Sequence, residues 1–226
     1  MNAPDKRGGR RERALATRRR ILHAAYALFR ERGYAGTTMD AIAQEARVAV
    51  QTLYFTFHTK AAILDETIGA AVTGFDSWVP PTSGVATLDI KNPAVLRQYH
   101  PWYGEIETTP SARRGLQVFV DAAVDIMERA APLTTSMHQA ASDPDAKAVL
   151  ETGKQRRYEA YSLAVRMLAK KRPGLRDGLT VKRATDVLFT VFSDELYQML
   201  RERGWKPREV HTFLLDLLTK QLLASR

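Results

Sequence analysis

Gly33-Tyr34-Ala35-Gly36-Thr37-Thr38-Met39-Asp40-Ala41-Ile42-Ala43, followed shortly by Val48-Ala49-Val50-Gln51-Thr52-Leu53-Tyr54-Phe55-Thr56-Phe57-His58-Thr59-Lys60, is the stretch on which the fold turns. Gly33 suits the end of a preceding helix, because glycine accepts the left-handed conformation of a C-terminal cap. The Thr37 hydroxyl can cap a new helix, with Asp40 completing a capping-box-like pair. Met39, Ile42, Ala43 and Ala46 then share one face of a short helix. Arg47-Val48-Ala49 interrupts, and a second short helix follows from Val50 to Phe57. Two short helices separated by so brief a turn make a helix-turn-helix.

The spacing of Val48, Leu53 and Phe57 turns these side chains inward, where they lock the second helix of the pair onto its neighbours. The opposite face carries Val50, Gln51, Thr52 and Phe55, placed to meet base edges in a major groove. Gln51 can pair bidentately with adenine, while Val50, Thr52 and Phe55 can touch thymine methyls; Thr52 can equally meet a phosphate.

Upstream, Lys6 to Arg20 is Arg-rich and contains Gly8 and Gly9, so residues 1–16 are expected to form a flexible basic arm, with Arg7, Arg10, Arg11 and Arg13 available to a minor groove. Ile21, Ala25, Leu28 and Phe29 define an amphipathic helix from about Thr17 to Arg32. Downstream, Thr59 is placed to cap a helix running from Lys60 to about Val79, stopped by Pro80 and Pro81. Asn92-Pro93, Pro110-Ser111, Pro132 and Asp143-Pro144 each suit a helix entrance, and the last two helices are expected over about Thr180 to Arg203 and Pro207 to Ala224. With no period-two pattern and no internal repeat, the expectation is an all-α chain: a three-helix helix-turn-helix domain over 17–62, then a larger helical domain over 63–226, to which a family resemblance, carried by the two quoted segments, assigns ligand binding and dimerisation.

Residues 1 to 60 carry 12 Lys/Arg against 5 Asp/Glu, a net of +7 out of +9 for the whole chain. Such asymmetry favours a polyanion at the N-terminal end, since a local positive field attracts phosphates and releases their counterions. The absence of cysteine excludes disulfides, thiolate metal sites and a cysteine nucleophile. Five scattered histidines make no metal spacing, no glycine-rich phosphate loop is present, and no catalytic set, cofactor or metal is expected. The polar start from Met1 to Arg13 lacks a signal-peptide core and no run is long enough to span a membrane, so a cytoplasmic location is expected.

Both quoted segments resemble the DNA-binding region of the tetracycline-repressor (TetR) family of bacterial regulators, over Thr17 to about Ile68. The resemblance implies double-stranded DNA as partner, read as a pseudo-palindromic operator by a homodimer. It implies phosphate contacts at Tyr54 and Lys60, with Thr38 a third candidate. Arg47-Val48-Ala49 stands where the family often has Gly-Val-Ser, and His58 where it often has Pro, so Arg47 is a further phosphate candidate. Beyond Ala70 the resemblance is architectural, recovering at Asp194 to Leu200 and Gly204 to Glu209, whose counterparts in the family form a four-helix dimer interface. Phe192, Leu196, Leu200, Leu214, Leu217 and Gln221 have the period for that role, or for an intramolecular core. Family members bind small hydrophobic effectors in the middle helices, where Tyr99, Trp102, Tyr103 and His138 combine apolar bulk with a polar tip. The implied mechanism is repression relieved by a ligand that moves the fourth helix. The alternatives are a ligand-independent DNA-binding or helical interaction protein and, behind them, an enzyme.

Overall fold

The computed structural model describes residues 6–80 and 89–225, and every extended regular element among them is helical. The helices are α1 (Lys6–Arg32), α2 (Met39–Ala46), α3 (Val50–Phe57), α4 (Lys60–Thr73), α5 (Pro93–Tyr99), α6 (Trp102–Thr108), α7 (Ala112–Ala130), α8 (Thr134–Ala140), α9 (Pro144–Ala169), α10 (Val181–Val191), α11 (Asp194–Glu202) and α12 (Pro207–Leu222). A short 3-10 turn, Ala131–Leu133, precedes α8. The chain divides into two compact units, residues 1–86 with 135–150, and 87–134 with 151–226.

In the first unit, Ile21, Leu22, Ala25, Leu28 and Phe29 of α1 are buried and pack on α2 and α4. α1 starts at Lys6 rather than near Thr17, so residues 6–16, expected as part of a flexible arm, are helical; the first residues of that arm lie outside the described range. The two glycines cost about 1 kcal/mol each in a helix, but the Arg, Ala and Leu residues that follow are strong helix formers. The helix does end where Gly33, at φ 71, turns left-handed.

The fourth helix ends at Thr73, short of the expected Val79, because Gly74 (φ 95) terminates it with its N–H bonded to Ala70 O. The chain then folds back, stacking Phe75 on His23 at 4.4 Å and burying Trp78 to 1% exposure. Trp78 lies so close to Gly69 that a Cβ there would come within 2.8 Å of the indole. Glycine is therefore required on that face of α4.

The second unit is built around α7, whose Leu116, Phe119, Val120, Ala123 and Val124 are buried, and α6 and α12 pack against it. Tyr161, Val165 and Leu168 of α9, Leu188 of α10 and Val210, Leu214 and Leu218 of α12 complete the core. The single helix expected over Thr180 to Arg203 is two helices, divided at Phe192 and Ser193. Phe192 leaves helical geometry (φ −92, ψ 64) and meets Phe119 edge-on, and Ser193 caps α11 by accepting from Leu196 N at 3.1 Å.

Candidate nucleic-acid interface

The turn between α2 and α3 sets how α3 is presented. Thr38, not Thr37, caps α2: its Oγ1 accepts from Ala41 N at 3.1 Å. The Thr37 hydroxyl is buried and donates to Gly33 O at 2.7 Å. The two threonines divide the work because the extended backbone at Thr38 (φ −108, ψ 160) has the cap geometry. At the other end of α2, Arg47 takes the left-handed conformation (φ 54, ψ 51), with Arg47 N bonded to Gln44 O at 3.1 Å and Val48 N to Ala43 O at 3.0 Å. This is a Schellman motif with arginine in the glycine position, at a cost of about 1 kcal/mol.

α3 turns Leu53 and Phe57 into the unit core, at 0% and 4% exposure, while Val48 in the preceding turn is half-buried. Of the four side chains expected to face bases, Gln51 and Phe55, one turn apart, occupy the centre of the exposed face; Val50 and Thr52 flank it half-buried. Phe55 is 85% exposed and Tyr54, beside it, 51%. α3 ends in a second strained residue: His58 (φ 65, ψ −46) forms a γ-turn in which Thr59 N bonds Phe57 O at 2.7 Å. Thr59 then caps α4 by accepting from Ala62 N at 3.1 Å.

Lys60 opens α4, where the resemblance implied a phosphate clamp. Its ammonium donates to Tyr34 O at 2.8 Å and Thr37 O at 3.0 Å, and lies 4.1 Å from the centre of the Tyr34 ring. Burial lowers the Lys60 pKa, opposed by the negative charge of Asp143. Tyr34 in turn is pushed up to about 12 by burial, by the charges of Asp143 and Asp145 and by its hydrogen bond to Asp143. Lys60 thus ties the start of α4 to the loop before α2.

A second tie was not foreseen. Glu66 of α4, 4% exposed, accepts two hydrogen bonds from Arg18 of α1 at 2.5 Å each and one from Trp78 Nε1 at 3.1 Å. The Arg18 guanidinium also lies 4.7 Å over the ring of Phe57, the last residue of α3. Its sequence signal is a charge on each of two apolar stripes, Arg18 one turn before Ile21 and Glu66 one turn after Ile63. Arg10, Arg11, Arg13 and Arg20 of α1 are exposed, as are Arg47 and the acidic Asp40 and Glu45 of α2.

In the second unit, Tyr103 is 1% exposed, donates its hydroxyl to Ala160 O at 2.9 Å and stacks on Trp102 at 4.1 Å. Tyr99 is half-buried, and burial raises its pKa. His138 is exposed on α8 and belongs to the first unit, and Tyr99, Trp102 and Tyr103 belong to the second. His100, in the same aromatic cluster, is lowered to about 4 by burial and by the positive charge of Arg129. Among the residues expected at a dimer interface, Phe192 and Leu214 point inward and are buried in the chain's own core. Leu196, Leu200 and Leu217 are half-buried and Gln221 is exposed. Met199 and Phe213, at 47% and 38% exposure, are apolar surface that periodicity alone did not single out. Among the described residues no group of three or more His, Cys, Asp or Glu could hold a metal, and no helix is long and apolar enough to cross a membrane.

Residues 21–67 match the family model described as "Bacterial regulatory proteins, tetR family". The chain is 36% identical over 85 residues to the uncharacterized HTH-type transcriptional regulator YdeS of Bacillus subtilis, covering 38% of this chain and 41% of that relative. It is similar in fold to a putative transcriptional regulator from Saccharomonospora viridis in complex with choline, with a TM-score of 0.64 and 20% identity over 92% of this chain and 98% of that one. It is likewise similar to NalD, the secondary repressor of the MexAB-OprM multidrug efflux pump in Pseudomonas aeruginosa, at TM-score 0.62, 20% identity and the same two coverages, 92% and 98%.

Proposed function

We propose that this chain, whose residues 21–67 match the tetR-family model, is a TetR-family regulator: a cytoplasmic, homodimeric repressor that leaves a pseudo-palindromic operator when a small hydrophobic effector binds. The observation that carries the reading is the presentation of α3: Gln51 and Phe55 stand out from a helix whose opposite face, Leu53 and Phe57, is buried. Val50, Gln51, Thr52 and Phe55 face the bases, while Thr38, Arg47, Tyr54 and Lys60 meet phosphates, Lys60 with whatever donor capacity its two carbonyl bonds leave. The positive charge concentrated in the first 60 residues supplies the attraction common to all DNA.

One recognition helix reads too few bases to find a single genomic site; two, set about 34 Å apart, multiply specificity. The dimer forms through α11 and α12, using Leu196, Met199, Leu200, Phe213, Leu217 and Gln221. Phe192 and Leu214 support that face from within. The effector engages the aromatic residues Tyr99, Trp102 and Tyr103; the putative regulator from Saccharomonospora viridis, similar in fold, is a precedent for a bound small molecule, being in complex with choline. A ligand empties the operator to the extent that it prefers the conformation unable to span both half-sites.

The test is selection from random duplexes with the purified chain, then fluorescence anisotropy of the enriched duplex at several salt concentrations, with Tyr54→Phe and Gln51→Ala as comparisons. A two-fold-symmetric site, a steep loss of affinity with salt and weakening in both variants support the reading. No enrichment, or binding indifferent to both substitutions, overturns it.

A further inference from the structure

We infer that the chain reads its operator chiefly through the C5-methyl groups of thymine, so that its half-site is rich in A·T pairs and binding depends on those methyls. The inference rests on the DNA-binding reading above and specifies which duplexes that site takes. It starts from a property of residues 48–59: between Arg47 and Lys60 there is no Asp, Glu, Lys or Arg. α3 therefore brings no guanidinium or ammonium to the groove. The commonest specific base contact, Arg or Lys on guanine O6 and N7, cannot come from this helix, and neither can a carboxylate accepting from cytosine N4.

What α3 does bring is apolar. Phe55 is 85% exposed at the centre of the outward face, a phenyl ring with no hydrogen-bonding group. In the major groove its chemical match is the thymine methyl, the single apolar feature among the four base edges. Gln51 stands one turn before it, about 6 Å along the axis, which brings the two within reach of neighbouring base pairs. Its amide matches adenine N6 and N7, so both central residues select A·T pairs. Val50 and Thr52 flank them half-buried, each with a methyl on its side chain. Arg47, the cation that precedes α3 in the chain, sits in the left-handed turn before the helix, and its proposed partner is a phosphate, not a base.

The experiment compares the duplex enriched by selection with the same duplex carrying deoxyuridine in place of thymidine within the half-sites, which removes methyls and changes no hydrogen bond. Burial of one methyl is worth about 0.8 kcal/mol, so each contacted thymine should weaken binding about fourfold, and one per half-site in a symmetric site about 15-fold. Replacing a contacted T·A pair by C·G should weaken binding further, and 5-methylcytosine at that position should recover part of the loss. Phe55→Ala, an exposed substitution whose folding is checked by circular dichroism, should bind the thymidine duplex more weakly and distinguish the two duplexes less. Equal affinity of the unmodified chain for both duplexes, or enrichment of G·C-rich half-sites, overturns this inference and leaves the DNA-binding reading intact. Failure to enrich any duplex overturns both.

Discussion

Replacing Glu66 with alanine removes at one stroke the acceptor of two Arg18 hydrogen bonds, at 2.5 Å each, and of the Trp78 Nε1 bond at 3.1 Å. Losing one partner of a fully buried ion pair costs about 3–5 kcal/mol. The Arg18 side chain is 29% exposed and regains part of its hydration, and the Glu66 side chain is 6% exposed. The ionic share therefore falls to about 1–2 kcal/mol. Trp78, 1% exposed, loses Glu66 as the acceptor of its indole N–H, worth about another 1–2 kcal/mol. The sum, about 3 kcal/mol, should raise the opening equilibrium of α1 and α4 roughly a hundredfold. Hydrogen–deuterium exchange of amides in these two helices reads that number directly. Glu66→Gln keeps the shape and an acceptor oxygen and should cost about 1 kcal/mol. The pair Arg18→Met with Glu66→Leu leaves no charge unpaired and should fall nearer the unmodified chain than Glu66→Ala does. Exchange in Glu66→Ala within about threefold of the unmodified chain, or a double variant no better than that single one, would refute the reasoning.

Arg47→Gly relieves a left-handed residue and should raise stability by about 1 kcal/mol, a Tm gain of about 2–4 °C. With its phosphate contact gone, the slope of log affinity against log salt should flatten by about 0.9; a lower Tm contradicts the strain, and an unchanged slope removes Arg47 from the contacts. His100, lowered to about 4, titrates in the unfolded chain near its usual value of about 6.5. The unfolded state therefore binds more protons between those values, so stability is complete above about pH 6.5 and falls, by up to about 3 kcal/mol, as pH drops toward 4. Urea unfolding across that range should show this slope, and His100→Phe should flatten it. Phe213→Asp with Met199→Glu should leave the helical signal intact while light scattering reports a monomer. Phe192→Ala should instead cost about 3–5 kcal/mol of stability, and a dimer surviving the paired surface change would exclude this face.

The helix-turn-helix was legible because its evidence is local. Met39, Ile42, Ala43 and Ala46 repeat at helical spacing, as do Leu53 and Phe57, and an interval of three residues admits little but a turn. The exposed side of α3 follows from the same periodicity, since the side opposite a buried stripe is exposed. Tertiary structure alone decided what depended on distant partners. Neighbouring hydroxyls such as Thr37 and Thr38 look alike in sequence; the buried Gly33 carbonyl takes one and α2 the other. Lys60 has an ammonium that could point to DNA or to carbonyls 23 and 26 residues earlier. Arg18 and Glu66 lie 48 residues apart, and no local pattern pairs them. Periodicity likewise reports that Phe192 and Leu214 belong to apolar stripes, but not whether a stripe meets its own chain or a second copy. That choice depends on which helices pack against it, and here α7 covers the inner side and leaves Met199 and Phe213 at the surface.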